Sequence, residues 1–166
     1  MSRLDSAIRR LEAQRRCLDW ACDGIAGRDG LVLELGLGNG RTYDHLRDRI
    51  GAERIYVFDR TLACHPNSRP DPKWFFQGEI AETVPAFAKT VTDEIILVHL
   101  DLGAGEAAET AANLRDVGTA LIRLIAPGGI VVADQPLEAL ETAADFRMLP
   151  LPTGIPKNRY FIYCKA

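Results

Sequence analysis

The stretch Glu34-Leu35-Gly36-Leu37-Gly38-Asn39-Gly40 sets an acid and three alternate glycines directly after a short apolar run. Glycines so spaced permit positive φ and let a ligand lie against bare backbone. A helix beginning just beyond them turns unpaired N–H groups toward the same place. Asp59 ends the next apolar run. A carboxylate there can accept hydrogen bonds from both hydroxyls of a ribose. A glycine turn followed by an acidic strand end therefore implies a nucleoside-containing ligand at the carboxyl ends of the strands. Dinucleotide binders use G-x-G-x-x-G, whose small last residue allows close helix–strand packing; here Arg41 occupies that position. Glu34 suits the ammonium of an amino-acid moiety, directly or through water, and sits poorly beside a pyrophosphate.

Two further acids, Asp101 and Asp134, end later apolar runs, and Gln135 follows the second. Two carboxylates and an amide oxygen suit a hard cation. The competing reading has Asp134 capping the next helix and Asp101 bordering the ligand. His99 shares period-two parity with Asp101. A histidine in an apolar strand is usually a satisfied core residue.

The elements that must position these residues alternate. Leu4, Ile8, Leu11, Leu18, Cys22 and Ile25 form one stripe of a helix over residues 4–25. Residues 31–35 read as a buried strand, 41–50 as a helix and 54–59 as a strand. Pro66, Pro70 and Pro72 make 61–73 a loop. A strand over 74–77, a helix over 82–90 and a strand over 94–100 follow. A long helix over 106–126 is stopped by Pro127-Gly128-Gly129. Then come a strand over 130–133, a helix over 137–146, and strands over 147–151 and 160–164. Alternation implies a parallel sheet covered by helices on both faces. The last two strands, joined only by a loop, must pair antiparallel. The expected fold is α/β: a Rossmann-like, mostly parallel sheet of about seven strands with one antiparallel strand. We expect one domain over 1–166, with 1–27 as a helical segment covering the site or an interface and 28–166 as the binding core.

The 166 residues are 47% apolar and 26% charged, with a net charge of −3. These are ordinary values for a globular chain, and the charge argues against a nucleic-acid partner. No apolar stretch suggests a signal peptide or a membrane span. Four cysteines lack C-x-x-C spacing and read as free thiols in a reducing cytoplasm. Arg3, Arg9, Arg10, Arg15 and Arg16 form a charged helix face that is most simply solvated.

Glu34 to Gly40 resembles the first motif of the class I S-adenosylmethionine-dependent methyltransferases, [DE]-x-G-x-G-x-G. Asp59 matches their ribose-binding acid. Gly78-Glu79-Ile80 is similar to their adenine-contacting segment, and Asp101 matches the end of their fourth strand. Residues 124–130 resemble the L-x-P-G-G run before their fifth strand. The order holds from about residue 31 to the C-terminus, and the family's antiparallel final strands agree with the strand count above. Glu34 to Arg60 also resembles a small bacterial methyltransferase family of unassigned substrate.

The resemblance implies S-adenosyl-L-methionine as cofactor. It implies cofactor contacts from Glu34, Gly36, Leu37, Gly38, Asn39, Gly40, Asp59, Arg60, Gly78, Glu79, Ile80 and Asp101, with Asp101 also the candidate catalytic residue. No metal is expected. The alternative set Asp101, Asp134 and Gln135 resembles the magnesium site of cation-dependent O-methyltransferases, with Gln135 in place of their asparagine. His65 is a candidate acceptor contact in the loop over the cofactor mouth, and His45 belongs to the first crossover helix. The Asn/Asp-Pro-Pro-Tyr motif of base-methylating enzymes is absent after Asp101. Without a recognition domain, the acceptor is expected to be a small molecule. The apolar stripe of the first helix leads us to expect a homo-oligomer. Two other functions compete: a domain that binds the cofactor without transferring its methyl, and a nicotinamide-dependent oxidoreductase, against which Arg41 speaks.

Overall fold

The structure, a computed structural model, describes residues 2–102 and 107–166, with no side chains for 107–111. Helix α1 (Arg3–Gly24) opens the chain. Ser2 and Asp5 cap it reciprocally: the Asp5 amide donates to Ser2 Oγ and the Ser2 amide to Asp5 Oδ2, satisfying two of the helix's free donors. Then follow β1 (Leu31–Leu35), α2 (Arg41–Ile50) and β2 (Ile55–Asp59). The proline-rich loop has two 3-10 turns, Pro66–Ser68 and Pro72–Trp74, before β3 (Phe75–Gln77) and α3 (Ile80–Phe87). After these come β4 (Ile95–Leu100), α4 (Ala107–Leu124), β5 (Ile125–Ala133), α5 (Glu138–Thr142), β6 (Phe146–Leu149) and β7 (Phe161–Lys165).

The seven strands form one sheet in the order β3-β2-β1-β4-β5-β7-β6. β1, β2, β3, β4 and β5 pair in parallel, and β7 runs antiparallel to both β5 and β6. One antiparallel strand in a mostly parallel sheet is the expected fold. The central strands have an apolar face on either side. Val32, Val57, Leu97, Val132 and Ile162 pack with α1 and α2. Leu33, Phe58, Val98, Val131 and Tyr163 pack with α3, α4 and α5. The crossover helices therefore leave α2 alone on the first face. Helix α1 fills the rest of that face with Cys17, Leu18, Ala21, Cys22 and Ile25.

Several boundaries also differ from the sequence reading. Helix α3 starts at Ile80 and ends at Phe87, two residues before the expected start and three before the expected end. Helix α5 stops at Thr142 because the chain is already extended at Ala143 and enters β6 at Phe146. Helix α4 ends at Leu124 and β5 begins at once. Ile125 pairs with Ile95 and Ile130 with Leu97, so Pro127-Gly128-Gly129 bulge out of a strand already under way. The Arg28 guanidinium donates to the carbonyls of Pro127 and Gly128, pinning the bulge. The expected helix start at Glu106 lies outside the described residues.

Candidate active site

The order of strands reverses between β1 and β4, and in open α/β sheets ligands bind outside the carboxyl ends at that crevice. The ladder continues just past the strands and sets the candidate residues in one row. The Gly78 amide donates to Asp59 O, Gly36 to Phe58 O, Asp101 to Leu35 O and Asp134 to Leu100 O, at 2.9–3.0 Å. Gly36 has φ +96, and a Cβ there would lie 2.1 Å from the Asp101 carbonyl. Only glycine lets β1 turn away so close to β4.

A cleft of about 240 Å³ opens over this row. Gly36, Leu37, Gly38, Asn39, Asp59, Arg60, Glu79, Ile80 and Asp101 line it. Of the expected cofactor residues, Glu34, Gly40 and Gly78 do not. Gly40 is the left-handed residue before α2, with φ 84, packed against Cys64 and Ser68. Gly78 turns the chain between β3 and α3 at φ 148. Both support the wall from behind.

Glu34 is fully buried. The Thr42 hydroxyl donates to one of its oxygens. His99 Nδ1 lies 2.8 Å from the other. Glu34 and His99 are register partners on β1 and β4. Their pairing removes the Glu34 carboxylate from the cleft, so the expected direct grip on an ammonium has no carboxylate facing it. Burial works against a charged His99, but the adjacent Glu34 charge and hydrogen bond outweigh it, and His99 is held above its ordinary pKa.

The Asp59 carboxylate organises the turn. Oδ2 accepts from the amides of Leu37 at 2.7 Å and Gly38 at 2.9 Å, and Oδ1 accepts from Thr61 at 3.0 Å. A carboxylate has about four acceptor positions, so one remains for a ribose hydroxyl. Gly38 has φ +50, and a Cβ there would meet nothing within 4 Å; the space above it is open cleft. At the far end, Arg60 Nε and Glu79 Oε1 stand 3.9 Å apart.

Helix α1 closes the other side with Arg10, Leu11 and Gln14. Gln14 Nε2 donates to Asp101 Oδ2 at 2.7 Å, and Arg10 Nη1 lies 3.9 Å from the same oxygen. These residues, with Arg41, Thr42, Leu102 and Asn113, were not anticipated. One signal was present: Gln14 falls between Leu11 and Leu18 at helical spacing, a polar residue in an otherwise buried stripe.

Asp101 and Asp134 follow the neighbouring strands β4 and β5. Burial first, then the nearby Asp101 carboxyl through its charge and hydrogen bonding, pushes Asp134 up to about 7. No hydrogen bond ties Gln135 to the pair, and among the described residues no three His, Cys, Asp or Glu side chains converge as a cation site. His45 pairs with Asp19 between α2 and α1. His65 Nδ1 accepts from the Asn67 amide in the 3-10 turn beyond it. Neither lines the cleft.

A doubly wound sheet with a glycine turn, an acid ending β2 and an open cleft at the strand reversal defines a Rossmann-like nucleoside-cofactor protein. A family model described as S-adenosyl-L-methionine methyltransferase matches residues 1–165. The chain belongs to that S-adenosyl-L-methionine methyltransferase family, and S-adenosyl-L-methionine is its cofactor. It is similar to an S-adenosyl-L-methionine methyl transferase from Silicibacter pomeroyi DSS-3. That match has 38% identity and a TM-score of 0.88, covering 100% of this chain and 99% of that one. The fold is also that of a putative methyltransferase from Streptococcus mutans solved with SAH, at 16% identity and TM-score 0.60, covering 91% and 98%. A 1,6-didemethyltoxoflavin-N1-methyltransferase from Burkholderia thailandensis, solved with 1,6-didemethyltoxoflavin and S-adenosylhomocysteine, shares it at 17% and 0.59, covering 93% and 78%. No curated protein matches the chain.

Proposed function

We propose that this methyltransferase acts as one domain over 1–166 and transfers the cofactor's methyl to a small molecule. The observation that carries this reading is the cleft over Gly36, Gly38, Asp59, Glu79 and Asp101, roofed by α1. The glycine turn gives the cofactor bare backbone, Asp59 offers an acceptor to the ribose, and Gly78-Glu79-Ile80 frame the adenine end. Asp101 borders the methionine end, where the acceptor must also arrive. The residues fit the group: the positive-φ turn leaves open space above Gly38.

When bound, the cofactor supplies a methyl on a sulfonium that already carries its leaving group. The chain's own task is to align the acceptor, exclude water and receive any proton the acceptor loses. Helix α1 supplies the exclusion through Leu11 and Gln14. The relative solved with bound 1,6-didemethyltoxoflavin supports an acceptor of small-molecule size.

We further propose a homo-oligomer. Leu4 and Ile8, one turn apart on α1, are 69% and 46% exposed, an apolar step that a second copy would cover. Three buried free cysteines and one half-buried suit a reducing cytoplasm. Among the described residues no helix is long and apolar enough to cross a membrane.

The test is methyl transfer from radiolabelled S-adenosylmethionine to a panel of phenols, amines and thiols. Labelled product whose formation is lost in the Gly38→Val variant supports the reading. Transfer that persists in a variant unable to bind cofactor contradicts it.

A further inference from the structure

A second hollow, of about 190 Å³, lies between α1 and α2 and shares Leu11, Gln14, Arg41 and Thr42 with the wall of the cofactor cleft. Arg15, Leu18 and His45 line the hollow and not the cleft. Leu11, Gln14, Arg15 and Leu18 recur three and four apart on α1, and Arg41 and His45 stand four apart on α2, so each set shares one helix face. Farther along, opposite charges tie the two helices. His45 Nε2 lies 2.9 Å from Asp19 Oδ1, Arg49 Nε lies 3.8 Å from the same oxygen, and Arg49 Nη2 lies 2.5 Å from Asp23 Oδ1. At the hollow this pattern breaks. Arg15 and Arg41 share it with no acid among the lining residues. Neither guanidinium has a hydrogen bond or an ion pair among the described residues. A chain of net charge −3 thus gathers two cations here without their counterparts. Like charges beside one small cavity repel, and an anion between them turns that repulsion into attraction. A guanidinium offers a planar fork that matches a carboxylate or a phosphate. Leu11 and Leu18 add an apolar wall. A cavity of about 150 Å³ takes a benzene, so this one has room for a body the size of a single ring.

We propose that this hollow anchors the methyl acceptor, and that the acceptor is a small organic anion. Its carboxylate or phosphate lies between Arg15 and Arg41, and its apolar body lies against Leu11 and Leu18. This rests on the cofactor reading above and adds the substrate class to it. Gln14 marks the junction of the two spaces. Its amide is held by Asp101, which borders the methionine end of the cofactor, so an anion anchored in the hollow extends past Gln14 toward the methyl. The cofactor carries a carboxylate of its own, but Arg15 stands outside the cleft, and a ligand that needs both arginines is a second molecule.

The test uses the full chain, saturated with S-adenosylhomocysteine and labelled at the arginine side-chain nitrogens, observed by NMR at neutral pH. Benzoate and phenyl phosphate are the probes; benzamide, of like shape and without charge, is the control. At least one probe should shift the Arg15 and Arg41 signals saturably, and benzamide should not. Arg15→Met keeps the side chain's stem and removes its charge. It should weaken probe binding at least about tenfold, the loss of hydrogen bonds between charged groups, and leave S-adenosylhomocysteine affinity within about twofold. Arg15 is exposed and unpaired, so the thermal midpoint of the variant should not fall. The proposal is overturned if neither probe moves the signals while S-adenosylhomocysteine is bound, if benzamide moves them as far, or if Arg15→Met costs the probe nothing. It is equally overturned if probe and S-adenosylhomocysteine exclude each other and Arg15→Met weakens both, because the hollow then holds the cofactor's own carboxylate. Failure of the chain to bind S-adenosylhomocysteine strikes the cofactor reading instead, and the same Arg15 comparison on the free chain then decides the anion site.

Discussion

The Asp59 carboxylate ties together the amides of Leu37, Gly38 and Thr61, so its removal acts on the turn as well as on the ligand. Asp59→Ala is expected to weaken cofactor binding by about 1.5–3 kcal/mol, the range for hydrogen bonds to a charged group, and to lower the melting midpoint, because three amides lose their acceptor. Calorimetric titration with a parallel thermal melt checks both; unchanged affinity in a folded variant contradicts the assignment. Gly38→Val should lose cofactor binding and keep the fold, since its side chain enters only open cleft. Gly36→Ala should instead destabilise by at least about 1–3 kcal/mol, the cost of overpacking, because its Cβ would strike the Asp101 carbonyl. Asp134 adds a pH dependence. Its folded pKa, about 7, lies above the ordinary carboxylate value of 3.8, so between those values the folded state holds more proton than the unfolded one. Stability from this group is full below about pH 4 and is lost as the pH rises toward 7. Asp134→Asn should flatten that decline in thermal melts across the same window; an unchanged slope would remove Asp134 as its source. The residues of the glycine turn, Asp59 and Glu79 were legible in the sequence because chemistry and spacing both pointed to them. Glu34 showed its acid chemistry but not its buried place, because the register that sets it beside His99 is a contact between residues far apart in the chain.

At the scale of elements, α1 is both a core helix and the roof of the cleft. The sequence placed its apolar stripe over the site or an interface but did not show its packing on the sheet, because a helix ahead of the first strand has no crossover rule to assign it a face. The prolines of the 61–73 loop and the loop-joined final strands were readable from local chemistry. The α4–β5 junction was not, because Pro127-Gly128-Gly129 reads as a stop whether it ends a helix or bulges from a strand. The lower half of α1 lies buried on the sheet, so removing residues 1–22 should abolish cooperative unfolding rather than merely open the site. A truncated chain that melts with the native midpoint would show α1 to be an accessory. Gln14→Ala is the finer probe. Losing the 2.7 Å bond to Asp101 in a part-buried wall should cost about 1.5–3 kcal/mol. That cost should appear in the stability of the chain or in its hold on the cofactor, as read by melting and titration. If neither changes, Gln14 is only a filler.

For the whole molecule, the mostly parallel sheet, the one antiparallel strand and the cofactor class followed from alternation and the ordered motifs, which are properties of chain sequence. Assembly did not, because an exposed apolar step looks the same whether solvent or a partner meets it. Leu4 and Ile8 make the point testable. The wild-type chain should run as a dimer or larger by light scattering, and a Leu4→Glu, Ile8→Glu double variant should run smaller with its fold intact. A monomeric wild type at high concentration would refute the oligomer. The central claim is that the cleft at the β1–β4 reversal holds S-adenosyl-L-methionine. Isothermal titration of the full chain with S-adenosylhomocysteine and, separately, with NADH tests it most directly. The account predicts saturable one-site binding of S-adenosylhomocysteine that disappears in Gly38→Val, with no heat from NADH. Binding of NADH with indifference to S-adenosylhomocysteine would contradict it.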